Sequence, residues 1–228
     1  MIAGSTMPVA ARGPLPRAAD THLRAELLGL TLLLVLLNLP LFTGGSTAAL
    51  AFQTDAVAAG EWWRLLTHAF VHVSWYHLLL DGSAFLILYA NLHAEQRWQR
   101  LSYVAASAAG SLIVASCASP LIATHGLCGL SGAAHGLMAV SALEILALPR
   151  ADRFTRIAGI VSFGAVTAKC LFELATGQAF FAALHFGLLG TPIVACHAGG
   201  VLSGIFAALI FQRPLSSSTA WSLPNSKP

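Results

Sequence analysis

Residues 129–148 read GLSGAAHGLMAVSALEILAL. These twenty residues hold a single carboxylate, Glu144, and match the length of a helix that crosses a bilayer. The first turns nonetheless carry Ser131 and His135. Polar side chains at such depth are costly and normally face a bundle interior or a water-filled cavity. The stretch reads as a membrane helix with chemistry at one end.

Working outward, similar apolar runs occupy residues 27–42, 70–92, 101–122, 157–176 and 191–211, the first starting near Leu23. The whole chain of 228 residues is 57% hydrophobic and only 9% charged. A soluble domain carries about 25% charged residues, so this chain lacks the charge to cover a globular surface. Its mean hydropathy of +0.74 agrees. A soluble enzyme, a disordered chain and a nucleic-acid binder are disfavoured. The expected fold class is an all-α membrane protein, a six-transmembrane-helix bundle over residues 23–211. Residues 1–22 and the Ser- and Pro-rich residues 212–228 read as flexible tails. Residues 179–190 are apolar but too short to cross, and read as an interfacial or re-entrant loop.

Lys and Arg placement sets the orientation. With six spans both ends share a side, which then holds ten basic residues: Arg12, Arg17, Arg24, Arg97, Arg100, Arg150, Arg153, Arg156, Arg213 and Lys227. The other side has Arg64, and Lys169 falls inside a span. The termini are therefore expected in the cytoplasm of a multi-pass protein of the cell (inner) membrane. The second, fourth and sixth spans then run inward from the outer face. Their starts carry His72, His77 and Asp81, then Ser131 and His135, then His197. Three spans thus bring polar groups to one level. Gly132 and Gly136, and Gly200 and Gly204, have the spacing that lets membrane helices approach closely. Close packing of those two helices draws Ser131 toward His197.

A serine hydroxyl becomes a nucleophile when a base takes its proton, and a neutral imidazole can serve. Ser131, flanked by Leu130 and Gly132, is the candidate nucleophile and His197 the candidate base, a pairing that needs no aspartate. A lone serine at this position would otherwise read as a helix N-cap. The oxyanion of an acyl-transfer step needs fixed donors, for which the Ser131 amide and the His77 side chain are candidates. Asp81, four residues after His77, shares its helix face. Ionised, it would repel an oxyanion, so it is expected either to be protonated or to pair with His77. His135 is an alternative base. Trp62, Trp63 and Arg64 suit an interfacial belt. Lys169 and Glu173, spaced i,i+4, are expected to neutralise each other, with a proton relay as the other reading. Glu144 is expected to reach the inner interface. His68 and His72 have a spacing that zinc can use, but no HExxH is present, and no cofactor or metal is expected. The four cysteines show no CxxC spacing, and pairing of Cys117 with Cys128 is left open.

Together these residues resemble the rhomboid family of intramembrane serine proteases, over about residues 61–211. Trp63-Arg64, His72, His77 and Asp81 resemble its loop and second-span signature. Glu95-Gln96-Arg97 resembles its ExR element, Gly129-Leu130-Ser131-Gly132 its GxSG, and His197 with Gly200 and Gly204 its sixth-span motif. The resemblance implies Ser131 as nucleophile, His197 as base, and oxyanion contacts from His77 and from position 81. The family usually has Asn where Asp81 stands, and many members carry an aromatic residue where His135 stands. The compact size and the run from Gly129 to Gly136 resemble the rhombosortase branch, whose members cleave C-terminal sorting tails from exported proteins. The expected partners are therefore single-span or tail-anchored exported substrates and the lipid bilayer, with no nucleic acid. The alternatives are a sortase-like transpeptidase on the same fold, or an inactive relative that binds transmembrane helices.

Overall fold

The computed structural model describes residues 18–211. Residues 1–17 and 212–228, which hold most of both expected tails, lie outside the described residues. Six long helices follow in order: α1 Ala18–Leu37, α2 Trp75–Ala90, α3 Arg97–Ala118, α4 Ser131–Ala147, α5 Arg153–Thr176 and α6 Ala195–Phe211. Short helical turns fill the connections, and the described residues hold no strand beyond one isolated bridge between Phe52 and Leu127. Each expected apolar run overlaps one long helix. The described residues form an all-helical fold. Apolar side chains project outward from these helices, among them Leu36, Ile87, Ile113, Phe154, Leu171 and Leu209. Such a surface suits lipid and makes this an integral membrane protein.

Span lengths are less uniform than the expectation. Among the described residues, α3 and α5 are long and apolar enough to cross a membrane. α2 joins them if it is counted with Arg64–Phe70, from which it is bent by 88°. α4 and α6 have 17 residues each. At 1.5 Å per residue that is about 26 Å, a little short of a hydrocarbon core of about 30 Å. α1 begins at Ala18, so the last residues of the expected N-terminal tail are helical.

The bend before α2 has a local cause. Ser74 is extended, and its hydroxyl accepts from the His77 amide, which starts the helix at Trp75, five residues into the apolar run. His72 therefore precedes the helix. It is held by Asn38, the residue after α1: Oδ1 accepts from the His72 amide at 2.9 Å while Nδ2 donates to the carbonyls of Leu34 and Phe70. Thr47 closes the turn by donating to the His72 carbonyl at 2.6 Å.

α6 runs through the middle of the bundle, against α3 on one side and α4 on the other. Its small residues make this possible. A Cβ added to Gly200 would fall on the Gly132 carbonyl, and one added to Gly204 would come within 3.0 Å of the Gly136 Cα. Backbone thus meets backbone where α4 and α6 cross. The larger core cluster packs Phe85, Tyr89, Tyr103, Leu130, Leu137 and Val140 together, from the turn before α4 down along its length.

The end of the bundle away from Ser131 buries charge. Arg100 reaches Glu26 through both Nε and Nη2, at 3.0 and 2.7 Å, and Tyr89 donates to the same carboxylate at 2.6 Å. Glu144 does not reach the interface, contrary to expectation. It is buried, and its oxygens accept from the amides of His93 and Ala94 at 2.7 and 3.0 Å. A chain turning between α2 and α3 leaves those amides without helical partners, and a carboxylate on α4 supplies them.

Candidate active site

Ser131 is the first residue of α4, because Leu130 occupies the cap position with helical dihedrals. The serine hydroxyl caps nothing, which removes the N-cap reading. The turn before it depends on Gly129, whose φ is +106° and whose amide donates to the His68 carbonyl at 3.0 Å. A Cβ there would stand 2.9 Å from His77 Nε2 and 3.0 Å from Asp81 Oδ2. A side chain at 129 is thus excluded twice, by backbone and by space.

A cavity of about 980 Å³ opens over this turn. Ser131 and His135 enter it from α4, His77 and Asp81 from α2, Lys169 and Glu173 from α5, and Cys196 and His197 from α6. The helices place four polar pairs at one level. His135 Nδ1 donates to the Ser131 carbonyl at 2.6 Å, and its ring stacks on that of His197 with centroids 4.1 Å apart and planes 19° apart. Ser131 Oγ lies 3.9 Å from the sulfur of Cys196, the residue before His197.

On the opposite wall, His77 Nε2 lies 3.0 Å from Asp81 Oδ2. His72 packs edge-on against His77 at 4.9 Å, and its Nε2 is 3.9 Å from Asp81. Several of these buried atoms lack a hydrogen-bonding partner: His72 Nε2, His77 Nδ1 and Asp81 Oδ2, the last being close to His77 without hydrogen-bond alignment. His68 lies on the preceding turn, not on α2, so the His68–His72 spacing does not form one helix face.

The loop from Gly177 to the start of α6 roofs the cavity with Phe180, Phe181 and Leu184. It is tied to α2, with Tyr76 donating to the Leu184 carbonyl at 2.9 Å and Ser74 to the Leu188 carbonyl at 2.7 Å. Burial holds the imidazole of His185 on this loop below its ordinary range. The connection between α1 and α2 is organised by Arg64. This side chain is buried, donating to the carbonyls of Ala48 and Ala51 and pairing with Glu61 at 2.6 Å. It braces a loop where an interfacial role was expected, while Trp62 and Trp63 remain exposed.

The sequence profile of the rhomboid domain matches residues 59–214. The chain belongs to the rhomboid family. Rhomboid protease GluP of Bacillus subtilis (strain 168) is 29% identical over 180 residues, which make up 75% of this chain and 31% of that protein. The chain therefore spans about a third of the length of the curated relative it matches. In this rhomboid, the matched region takes in α2 and the whole of α4, α5 and α6, which line the cavity.

One contact of this rhomboid is absent from the sequence reading. His197 Nδ1 lies 2.6 Å from Glu173 Oε2, while Lys169 Nζ holds Oε1 of the same carboxylate at 2.6 Å. The sequence signal was the charged pair itself, inside an otherwise apolar span. Its third partner depends on how α5 and α6 face each other. The four cysteines are free, with Cys117 exposed and Cys170 and Cys196 buried.

Proposed function

We propose that this rhomboid is an intramembrane serine endopeptidase, with Ser131 as nucleophile and His197 as base. The observation that carries the reading is one cavity lined by the hydroxyl at the start of α4 and the imidazole near the start of α6. Ser131 Oγ attacks the scissile carbonyl carbon and its proton passes to His197. The tetrahedral oxyanion is met by the Ser131 amide, unpaired at a helix N-terminus, and by His77. Collapse breaks the C–N bond, and His197 returns the proton to the leaving amine. Water then hydrolyses the acyl-enzyme by the same route. His135 supports His197 by stacking, and its Nδ1 is committed to the Ser131 carbonyl.

The bundle crosses the membrane six times, with both termini cytoplasmic and the cavity opening toward the outer face. Ten basic residues against one support that orientation. The substrates are single-span exported proteins or C-terminal sorting tails, cut near the outer surface, as in the rhombosortase branch. The apolar roof of Phe180, Phe181 and Leu184 suits a segment leaving the bilayer.

Co-expression with tail-bearing exported proteins tests this. Processing is expected with the unaltered chain and is expected to be lost in Ser131→Ala and in His197→Ala. Equal processing in all three would remove the assignment. Loss in His135→Ala with survival in His197→Ala would move the base to His135.

A further inference from the structure

The carboxylate of Glu173 is almost fully enclosed, at 1% exposure of its side chain. It accepts from three directions. Lys169 Nζ and the Phe180 amide meet Oε1 at 2.6 and 3.1 Å, and His197 Nδ1 meets Oε2 at 2.6 Å. A buried carboxylate is tolerated only when paired and hydrogen-bonded, and here both conditions hold. A salt bridge that served packing alone would be complete with Lys169. The second oxygen is instead spent on the imidazole that faces the cavity.

The 2.6 Å separation, with Lys169 on the other carboxylate oxygen, favours a proton on Nδ1. Two lone pairs do not approach that closely, so a hydrogen sits between Nδ1 and Oε2. Lys169 Nζ is also near Nδ1, at 3.4 Å, but its shorter partner is Oε1. A proton on Nδ1 leaves the lone pair of neutral His197 on Nε2. That is the nitrogen able to take the hydroxyl proton of Ser131.

We propose that Glu173 is the positioning residue of His197, so that this rhomboid works with a Ser131–His197–Glu173 triad in which Lys169 holds the other oxygen of the acid. The proposal deepens the Ser–His reading and rests on it. During attack, Oγ bonds to the carbonyl carbon and the Oγ proton moves to Nε2. The Nδ1 proton stays on nitrogen, and Glu173 stabilises the imidazolium without taking a proton. The Phe180 amide on Oε1 gives the cavity roof a share in holding the same carboxylate. The groups facing His197 are Lys169 and Glu173 from α5, His135 from α4, and Cys196 beside it. Asp81 stands on the far wall and His185 on the roof loop.

The test uses the full chain in phosphatidylethanolamine–phosphatidylglycerol proteoliposomes. The rate of labelling by a serine-directed fluorophosphonate is followed against pH. Glu173→Gln keeps the volume but can offer an NH₂ to Nδ1, which favours the wrong tautomer. It is expected to slow labelling about a hundredfold or more, as loss of a triad acid does. The acid limb of the profile is expected to move to lower pH, because the imidazolium loses its counter-charge. Glu173→Asp is expected to recover part of the rate, which a purely structural role would not require. A Glu173→Gln rate within about threefold of the unaltered chain, with an unmoved profile, would overturn the proposal, since a misplaced base costs far more. That result leaves the Ser–His reading standing if Ser131→Ala and His197→Ala are silent. Labelling that persists in Ser131→Ala removes that reading and the triad with it. Should Glu173→Gln fail to fold, ¹⁵N NMR of His197 in the Ser131→Ala chain decides. Protonation at Nδ1 upholds the proposal, and protonation at Nε2 alone overturns it.

Discussion

The two ends of this bundle both bury charge, yet they bury it differently. At the end away from Ser131, the inner end in the proposed orientation, the buried charges are paired. Arg100 spends its donors on Glu26 and on the carbonyls of Ala94 and Glu95, and Glu144 fills two free amides. At the outer end, His72 Nε2, His77 Nδ1 and Asp81 Oδ2 are buried without hydrogen-bonding partners, beside a cavity of about 980 Å³. Unpaired buried polar atoms are costly, so a fold keeps them where something else will use them. The inner cluster holds helices together, and the outer one has atoms left over that the proposed oxyanion role of His77 would use.

The sharpest way to break this comparison is Arg100→Ala. Removing one partner of a buried ion pair leaves a carboxylate, Glu26, enclosed without its counter-ion, and should lower stability by about 3–5 kcal/mol. Thermal unfolding in detergent reads this directly. Protein that remains folded should still be labelled at Ser131 by a fluorophosphonate. A loss of labelling with unchanged stability would mean that the inner cluster takes part in the chemistry.

His77→Ala probes the other side. It removes a donor facing the cavity and should slow substrate processing about a hundredfold to a thousandfold, the range for loss of one oxyanion donor. Stability should fall less than in Arg100→Ala, because His77 Nδ1 already lacks a partner. If unfolding drops as far as in Arg100→Ala while processing per folded molecule holds, His77 is a structural residue.

Much of this contrast was legible in the sequence, and the reasons are physical. Ser131, His77 and His197 stand in apolar runs where a polar side chain needs an explanation, and the glycine spacing foretold that α4 and α6 would touch. The inner cluster was harder to read. Glu144 looked able to reach water, and only the turn between α2 and α3 shows that two free amides wait for it. Arg64 looked like an interfacial residue, because the carbonyls that it collects come from a loop without a sequence pattern. Glu173 was seen as half of a pair with Lys169, since i,i+4 spacing is a local property. Its reach to His197 depends on the rotation of α5 about its axis, which is set by packing and not by any local run of residues. The start of α2 follows the same rule in miniature. The apolar run begins at Phe70, but a single hydroxyl at Ser74 chooses where the helix starts, and that choice puts His72 in an extended segment beside Asn38.

Asp81→Asn carries the smallest expected effect and sharpens the comparison most finely. Asp81 faces two histidines, with His77 at 3.0 Å and His72 at 3.9 Å, and a Cβ on Gly129 would touch it. The substitution keeps the shape of this wall and exchanges a charge for an amide. Two consequences oppose each other. An amide no longer repels an oxyanion and can donate to it, but His77 loses the carboxylate 3.0 Å from its Nε2. The net change in processing should therefore stay within about tenfold, smaller than the loss of a whole donor. The pH–rate profile should change even where the maximum rate does not, because one of the charges that shape it is gone. Full activity with an unaltered profile would mean that Asp81 neither pairs with His77 in the working enzyme nor borders the oxyanion. The outer wall would then be as inert as the inner cluster, and its unpaired atoms would need another explanation.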